Sequence, residues 1–258
     1  MEISPFFSRT ERMLGPGLMK RLASTRVALF GTGGVGSWCA EALVRTGIGH
    51  LMLVDSDCVA PSNINRQSMA TMQTLGRPKV EVLAERLRTI NPEVELDVRR
   101  AVYEEATAAS FHLEEFDYVL DAIDSLAEKA ALIRHALSIP SVTLFASMGA
   151  ALKMDPGQIK TGRFRKVEGD GLARALRTKF RKTGGIPARD FLCVWSAEQR
   201  TNRGEERAEK PSADNPRDWN AKKARVNGTV MHATAMFGLV LASLVIRDCE
   251  EKYERSLS

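Results

Sequence analysis

A glycine-rich turn between an apolar run and a helical pattern most constrains what this chain can fold into. Residues 26–30 are apolar after the first, the glycines follow at once, and residues 35–45 carry apolar and small side chains at helical spacing. A second apolar run, residues 51–54, ends at Asp55. This order is typical of a buried parallel strand, a tight turn, a helix and a second strand that ends in a ribose-binding acid. The sequence therefore predicts a nucleotide-binding βαβ unit.

The glycines of this turn have separate roles in such a unit. Gly31 permits the tight turn, Gly33 and Gly34 let the backbone approach a phosphate, and Gly36 allows the helix to pack closely. The amino end of the helix attracts the anion. A glycine-rich turn without a ligand is the alternative, and the acid at the end of the second strand counts against it.

Strand and helix patterns continue to alternate along the chain. Predicted strands at residues 94–98, 118–123 and 141–146 alternate with predicted helices at residues 78–90, 107–113 and 125–137. The sequence therefore predicts an α/β fold with a Rossmann-like, doubly wound and mostly parallel sheet, followed by a C-terminal extension of strands and an apolar helix.

The alternation ends near residue 150. We divide the chain into an N-terminal helical arm (1–24), a Rossmann-like ATP-binding core (25–150) and a C-terminal region for substrate binding and dimerisation (151–258). The last region contains a charged insert at about residues 199–225, which we expect to be mobile, and an apolar helix over residues 229–246. That helix approaches the length of a membrane span, but its polar residues favour burial in a core or a subunit interface over contact with a membrane.

Charge and cysteine content narrow the class of protein. The formal net charge of +5 fits a nucleic-acid substrate, although many basic enzymes bind none. No two of the four cysteines form a CxxC pair, so we expect neither a structural zinc site nor a disulfide framework. The first residues lack a signal pattern, so we expect a cytoplasmic protein.

The residues that follow Asp55 carry many phosphate-binding side chains. The set consists of Asp57, Asn63, Asn65, Arg66, Gln67 and Lys79. Cations and amide donors of this kind neutralise a triphosphate and stabilise charge on a reacting α-phosphate. Asp124, at the end of a later predicted strand, can hold Mg²⁺ on those phosphates. A solvated charge is the alternative for any single cation, but the whole set favours ATP chemistry over hydride transfer.

Five motifs in succession resemble the E1-like superfamily of ATP-dependent adenylating enzymes, which includes the ThiF and MoeB proteins and the ubiquitin-activating enzymes. They are RVALFGTGGVGS, LVDSD, SNINRQ, GRPKVE and LDAID. Within this superfamily the chain is most similar to the tRNA threonylcarbamoyladenosine dehydratases. It lacks the two CxxC pairs usual in ThiF and MoeB proteins, and residues 120–132 and 191–198 resemble the dehydratase segments.

The resemblance implies a nucleotide site shared between two subunits. The positions that would bind the phosphates and ribose of ATP are Gly31, Gly33, Gly34, Asp55, Asp57, Asn63, Arg66, Gln67 and Lys79. Asp124 would hold Mg²⁺. Arg12 of the arm matches an arginine that reaches the ATP of the partner subunit, with Arg9 as a near alternative, so a homodimer is implied. Arg12, Arg66, Lys79 and Asp124 would act on the reacting phosphates.

The resemblance also implies a carboxylate substrate. Attack of a carboxylate oxygen on the α-phosphate of ATP makes an acyl-adenylate, for which the enzyme mainly supplies positioning and charge neutralisation. In the dehydratases the carboxylate belongs to the threonylcarbamoyl group on adenosine 37 of tRNA, and an internal nucleophile closes a ring with net loss of water. The implied partners are this tRNA, a second copy of the chain and a sulfur-transfer protein of a cysteine desulfurase system. Two alternatives stay open: adenylation of a ubiquitin-like sulfur-carrier C-terminus, and a non-catalytic E1-like subunit that binds a partner.

Three further features have two interpretations each. Cys193 lies in an apolar strand pattern, where a buried structural cysteine is favoured over a nucleophile. His232 is interpreted as a satisfied helix residue in preference to a base. The basic segments 174–182 and 200–207 are candidates for tRNA phosphate contacts, with a solvated charged face as the alternative.

Overall fold

In the computed structural model, which describes residues 4–204 and 227–258, the chain folds around one seven-stranded sheet. The strands are β1 Arg26–Phe30, β2 His50–Val54, β3 Glu95–Arg99, β4 Tyr118–Asp121, β5 Thr143–Ser147, β6 Lys160–Arg163 and β7 Leu192–Trp195. Their order across the sheet is β3-β2-β1-β4-β5-β7-β6, and each pairing is parallel except that of β6 with β7. The predicted α/β class is confirmed, and the strands after residue 150 extend the same sheet.

Six α-helices accompany the sheet among the described residues. They are α1 Ser8–Ser24, α2 Gly36–Thr46, α3 Lys79–Ile90, α4 Leu126–Ser138, α5 Gly171–Lys182 and α6 Met231–Leu257. The predicted arm corresponds to α1, which kinks at Gly15 with a positive φ of 78°. Residues 1–3 of the arm and residues 205–226, which include most of the insert predicted at about residues 199–225, lie outside the described part of the chain.

The sheet is buried on both faces, which explains the continuous apolar runs of its central strands. Val27 and Leu29 of β1 pack in one core with α2, α3 and α6, whereas Ala28 and Phe30 pack in a second core with α4 and α5. All four side chains are fully buried. Successive residues of a strand point to opposite faces, so a strand covered on both sides has no polar positions to alternate.

Helix α6 packs against α2 and the sheet. A Cβ on Gly238 would lie 2.3 Å from the carbonyl oxygen of Val35, so only glycine allows this close approach. Tyr118 of β4 donates a hydrogen bond of 2.8 Å to Asp248. The helix is longer than the predicted 229–246 because residues beyond 246 still bury Cys249. By length and composition α6 is long and apolar enough to cross a membrane, but 56% of its most apolar window is buried in the protein.

The order in which strands are added to the sheet reverses between β1 and β4. The chain runs outwards from β1 through β2 to β3 and then returns to place β4 on the other side of β1. Ligands of open α/β sheets bind outside the carboxyl ends of the strands at such a switch point. The fold therefore predicts a site between the ends of β1 and β4.

Candidate active site

A cavity of about 730 Å³ opens at this switch point. It is lined by ten predicted nucleotide-binding residues of the core, namely Gly31, Gly33, Gly34, Asp55, Asp57, Asn63, Arg66, Gln67, Lys79 and Asp124. Residues that are as many as 93 positions apart (31 to 124) in the chain thus meet at one edge of the sheet. Asn65, also predicted to bind phosphate, does not line the cavity and donates to the Thr229 carbonyl oxygen at 3.1 Å. Arg12 and Arg9 are exposed on α1 and do not line the cavity of their own chain.

The glycine turn connects β1 to α2 at the floor of the cavity. Gly31 has a positive φ of 86°, and a Cβ on Gly36 would lie 1.8 Å from the Gly31 carbonyl oxygen. A Cβ on Gly33 would meet only the Gln67 amide, at 3.8 Å, so this side of the turn leaves space for a ligand. The amino end of α2 therefore faces the cavity, where backbone N–H groups attract an anion.

Asp55 is held in place by the turn it faces. Its Oδ2 accepts hydrogen bonds from the backbone nitrogen and hydroxyl of Thr32, at 2.7 and 3.0 Å, and its Oδ1 accepts one from the Asp57 nitrogen, at 2.9 Å. An ionised carboxylate has about four lone-pair sites. Asp55 therefore retains acceptor capacity toward ribose hydroxyls.

Lys79 begins α3 and is 6% exposed. Its Nζ lies 2.8 Å from Asp57 Oδ2. Burial lowers the pKa of Lys79, but the carboxylates of Asp55, Asp57 and Asp124 outweigh burial and leave the pKa above its ordinary value. The ammonium is therefore charged and lies among three carboxylates at the cavity, where it can neutralise a phosphate.

Arg66 and Gln67 contribute polar groups from the loop between β2 and α3. Arg66 Nη1 donates to the Ser62 carbonyl oxygen at 2.7 Å and to Asn65 Oδ1 at 2.8 Å, so the guanidinium is oriented before a ligand binds. Gln67 is 5% exposed, and its buried Oε1 has no hydrogen-bond partner among the described residues. A buried polar atom without a partner is uncommon in a folded protein, and a ligand donor can satisfy it. Asn63 instead accepts a bond from the Ala60 nitrogen at 3.0 Å.

The cavity has a second half that the sequence did not predict. Lys153, Asp170, Arg174 and Glu198 line it. Lys153 follows β5, Asp170 and Arg174 lie at the amino end of α5, and Glu198 follows β7. Lys153 is 8% exposed, and its Nζ donates to the carbonyl oxygens of Ser196, at 2.9 Å, and of Glu198. Burial lowers the pKa of Lys153, against the opposing effect of Asp170 and Glu198. For Lys153 the only sequence signal was a lone lysine between small and apolar residues, whereas Arg174 lies in the predicted basic segment 174–182.

Cys193 and His232 have structural partners. Cys193 lies in β7, is fully buried and donates a long hydrogen bond of 3.4 Å to the Gly162 carbonyl oxygen. Burial raises the pKa of its thiol to about 12, so the thiolate needed of a nucleophile is scarce. His232 Nε2 donates to the Met154 carbonyl oxygen at 2.8 Å. Both observations favour the structural interpretations.

The predicted basic helix corresponds to α5, which has only part of its charge exposed. Arg174, Arg181 and Lys182 are exposed, whereas Arg177 donates to the carbonyl oxygens of Phe164 and Val167, at 3.3 and 2.9 Å. Of the second predicted segment, residues 205–207 lie outside the described part of the chain. Arg174 also lines the cavity, so the exposed cations of α5 begin at the mouth of the site.

Comparisons with known proteins agree with this geometry. The family model described as the ThiF family matches residues 7–253. The tRNA threonylcarbamoyladenosine dehydratase of Escherichia coli is 36% identical over 259 residues, which cover 96% of this chain and 95% of that protein. The structure of the E. coli tRNA N6-threonylcarbamoyladenosine dehydratase in complex with ATP matches with a TM-score of 0.84 and 33% identity over 99% of both chains. The molybdopterin-synthase adenylyltransferase of E. coli is 34% identical over a shorter stretch, 62% of this chain and 61% of that protein.

Proposed function

This chain belongs to the ThiF family, and we propose that it is an ATP-dependent tRNA threonylcarbamoyladenosine dehydratase. The main support is a single cavity lined by the glycine turn, Asp55, Arg66, Lys79 and Asp124. The chain also matches such a dehydratase over nearly its whole length. The reaction converts the threonylcarbamoyl side chain of the tRNA into a ring with loss of one water.

ATP activates the carboxylate, because adenylation converts one carboxylate oxygen into part of an AMP leaving group. A carboxylate oxygen of the substrate bonds to the α-phosphate, and the bond from that phosphorus to pyrophosphate breaks. An internal nucleophile of the same side chain then bonds to the activated carbonyl carbon and AMP leaves. The chain's own groups bind and orient the reactants: the glycine turn holds phosphate oxygens, Asp55 the ribose, and Arg66 and Lys79 the charge on the reacting phosphates.

Mg²⁺ is part of the proposal. Among the described residues, no three His, Cys, Asp or Glu side chains cluster as a metal site. Mg²⁺ on a nucleotide is usually held by one or two carboxylates together with phosphate oxygens and water. Asp124 lines the cavity close enough to Lys79 to affect its pKa, so its carboxylate fits this role.

A homodimer, a cytoplasmic location and a sulfur-transfer partner of a cysteine desulfurase system complete the proposal. The exposure of Arg12 outside its own cavity supports the dimer, because such a side chain is available to a second subunit. For tRNA, the exposed cations of α5 and of β6, at Lys160 and Arg163, offer phosphate contacts, and Arg174 of α5 also lines the cavity.

Mass spectrometry of digested tRNA tests the function. Purified protein, ATP and Mg²⁺ are incubated with tRNA that bears threonylcarbamoyladenosine, and the modified nucleoside is expected to lose the mass of one water. The control omits ATP. An unchanged nucleoside, together with pyrophosphate release that depends on a sulfur-carrier protein, would instead support the carrier-adenylating alternative.

A further inference from the structure

A fully buried ion pair lies directly behind the loop that carries Asp124. Asp121 is the last residue of β4, and Lys129 lies in α4. Both side chains are 0% exposed, and Lys129 Nζ is 2.9 Å from Asp121 Oδ2. Neither residue lines the cavity, so neither is placed to contact the nucleotide.

The two members of this pair bind the same loop residue from both sides. Lys129 Nζ donates to the Ile123 carbonyl oxygen at 3.0 Å, and the Ile123 nitrogen donates to Asp121 Oδ1 at 3.0 Å. The Ile123 carbonyl and the Asp124 nitrogen belong to one planar peptide unit. Lys129 therefore fixes the plane from which Asp124 leaves the backbone.

A contribution to stability does not explain this buried pair. Two charges taken out of water lose their solvation, and apolar replacements of buried pairs are often neutral or stabilising. A pair whose remaining hydrogen bonds all go to one loop instead restricts that loop to one conformation. The loop in question ends at the residue to which the proposed reaction assigns Mg²⁺.

We propose that Lys129 and Asp121 are positioning residues that orient Asp124 toward Mg²⁺·ATP. The inference rests on the proposed function, because it takes Asp124 as the metal-binding group. Outer partners that orient a metal ligand typically change metal affinity or activity by about 10- to 100-fold when they are removed.

The test compares a double variant, Lys129→Met with Asp121→Asn, with a matched control pair. The control is Glu41→Gln with Arg86→Met, which removes another ion pair. Arg86 Nε lies 2.7 Å from Glu41 Oε2, the Glu41 side chain is 8% exposed, and neither residue lines the cavity. Calorimetry measures ATP affinity with and without Mg²⁺, and hydrogen–deuterium exchange measures protection of residues 122–125. Thermal unfolding reports whether each variant folds.

The double variant is expected to lose about 10- to 100-fold of its Mg²⁺-dependent ATP affinity and to exchange faster at residues 122–125, while the control changes neither. A folded double variant with wild-type affinity and wild-type exchange would overturn the inference. If the double variant does not fold, the polar pair Lys129→Gln with Asp121→Asn, which leaves no buried charge, decides by the same two measurements. Failure of the proposed function would appear differently, as a wild-type protein without Mg²⁺-dependent ATP binding or tRNA dehydration.

Discussion

At the scale of single residues, Lys79 is the most deeply buried cation that lines the cavity. Its ammonium lies among the carboxylates of Asp55, Asp57 and Asp124, which keep it charged although it is buried. Lys79→Ala removes the charge proposed to neutralise the reacting phosphates, so we expect tRNA-dependent exchange of labelled pyrophosphate into ATP to fall about 100-fold or more.

Arg77→Ala is the matched control for Lys79→Ala. Arg77 lies two residues earlier and pairs with Glu85 on the surface, with side chains 43% and 56% exposed. An exposed pair contributes little to stability, so Arg77→Ala should unfold like the wild-type protein and exchange should persist. A folded Lys79→Ala protein with wild-type exchange would remove the phosphate role.

The thiol of Cys193 leads to a pH-dependence prediction. Burial raises its pKa from 9.0 to about 12, so between these values the unfolded chain loses a proton that the folded chain keeps. The free energy of unfolding should therefore fall as the pH rises above about 9, and Cys193→Ala should reduce the slope of that fall. Urea unfolding across this range measures the slope. An unchanged slope, or loss of tRNA dehydration in the folded variant, would contradict the structural role.

At the scale of elements, the contact between β1 and α2 leads to a sharp prediction. A Cβ on Gly36 would lie 1.8 Å from the Gly31 carbonyl oxygen, so Gly36→Ala must move the amino end of α2 away from the glycine turn. We expect ATP affinity, measured by calorimetry, to fall about tenfold or more, because displacements near 1 Å disrupt a site of this kind.

Gly204→Ala is the control for the glycine substitution. Gly204 has an ordinary φ, and a Cβ there would meet nothing within 4 Å. Its ATP affinity should equal that of the wild-type protein. Equal affinity in the Gly36→Ala protein would show that the turn does not hold the nucleotide.

The elements that could be predicted from the sequence are those whose own side chains carry the pattern. β1 is fully buried after Arg26 and was predicted over its whole observed length, as was the helix that follows the glycine turn to within one residue. The short helix predicted at residues 107–113 differs in type and bounds: Glu105–Phe111 and Leu113–Glu115 are separate 3₁₀ segments, divided by His112 with a φ of 47°. Short segments of this kind are decided by packing more than by periodicity.

The nucleotide half of the site could be predicted, whereas its surroundings could not. Gly31, Asp55 and Lys79 follow a spacing that phosphate and ribose binding impose on the chain itself. Lys129 and Lys153 have no such spacing, because their partners are a strand end and carbonyl oxygens that only the folded sheet brings within reach.

At the scale of the whole molecule, the proposal that Arg12 of one subunit completes the ATP site of the other can be tested by mixing two inactive variants. In a heterodimer of Arg12→Ala and Lys79→Ala, one of the two sites would combine an intact Lys79 with an intact Arg12 from the other subunit. Mixing under conditions of subunit exchange should therefore restore about a quarter of the wild-type activity, because half of the dimers are mixed and one site in each is complete.

A mixture of Lys79→Ala with Arg66→Ala is the control, since both residues line the cavity of one chain and no mixed dimer has an intact site. It should stay inactive. Restoration in the control mixture, or none in the first, would contradict a shared site.

The fate of the carboxylate oxygens tests carboxylate adenylation most directly. A tRNA substrate labelled with ¹⁸O in the threonylcarbamoyl carboxylate is incubated with the protein, ATP and Mg²⁺, and the released AMP is analysed by mass spectrometry. If a carboxylate oxygen attacks the α-phosphate, AMP leaves with one ¹⁸O atom for each ring that closes. Ring closure with unlabelled AMP, or with ADP as the product, would contradict the mechanism.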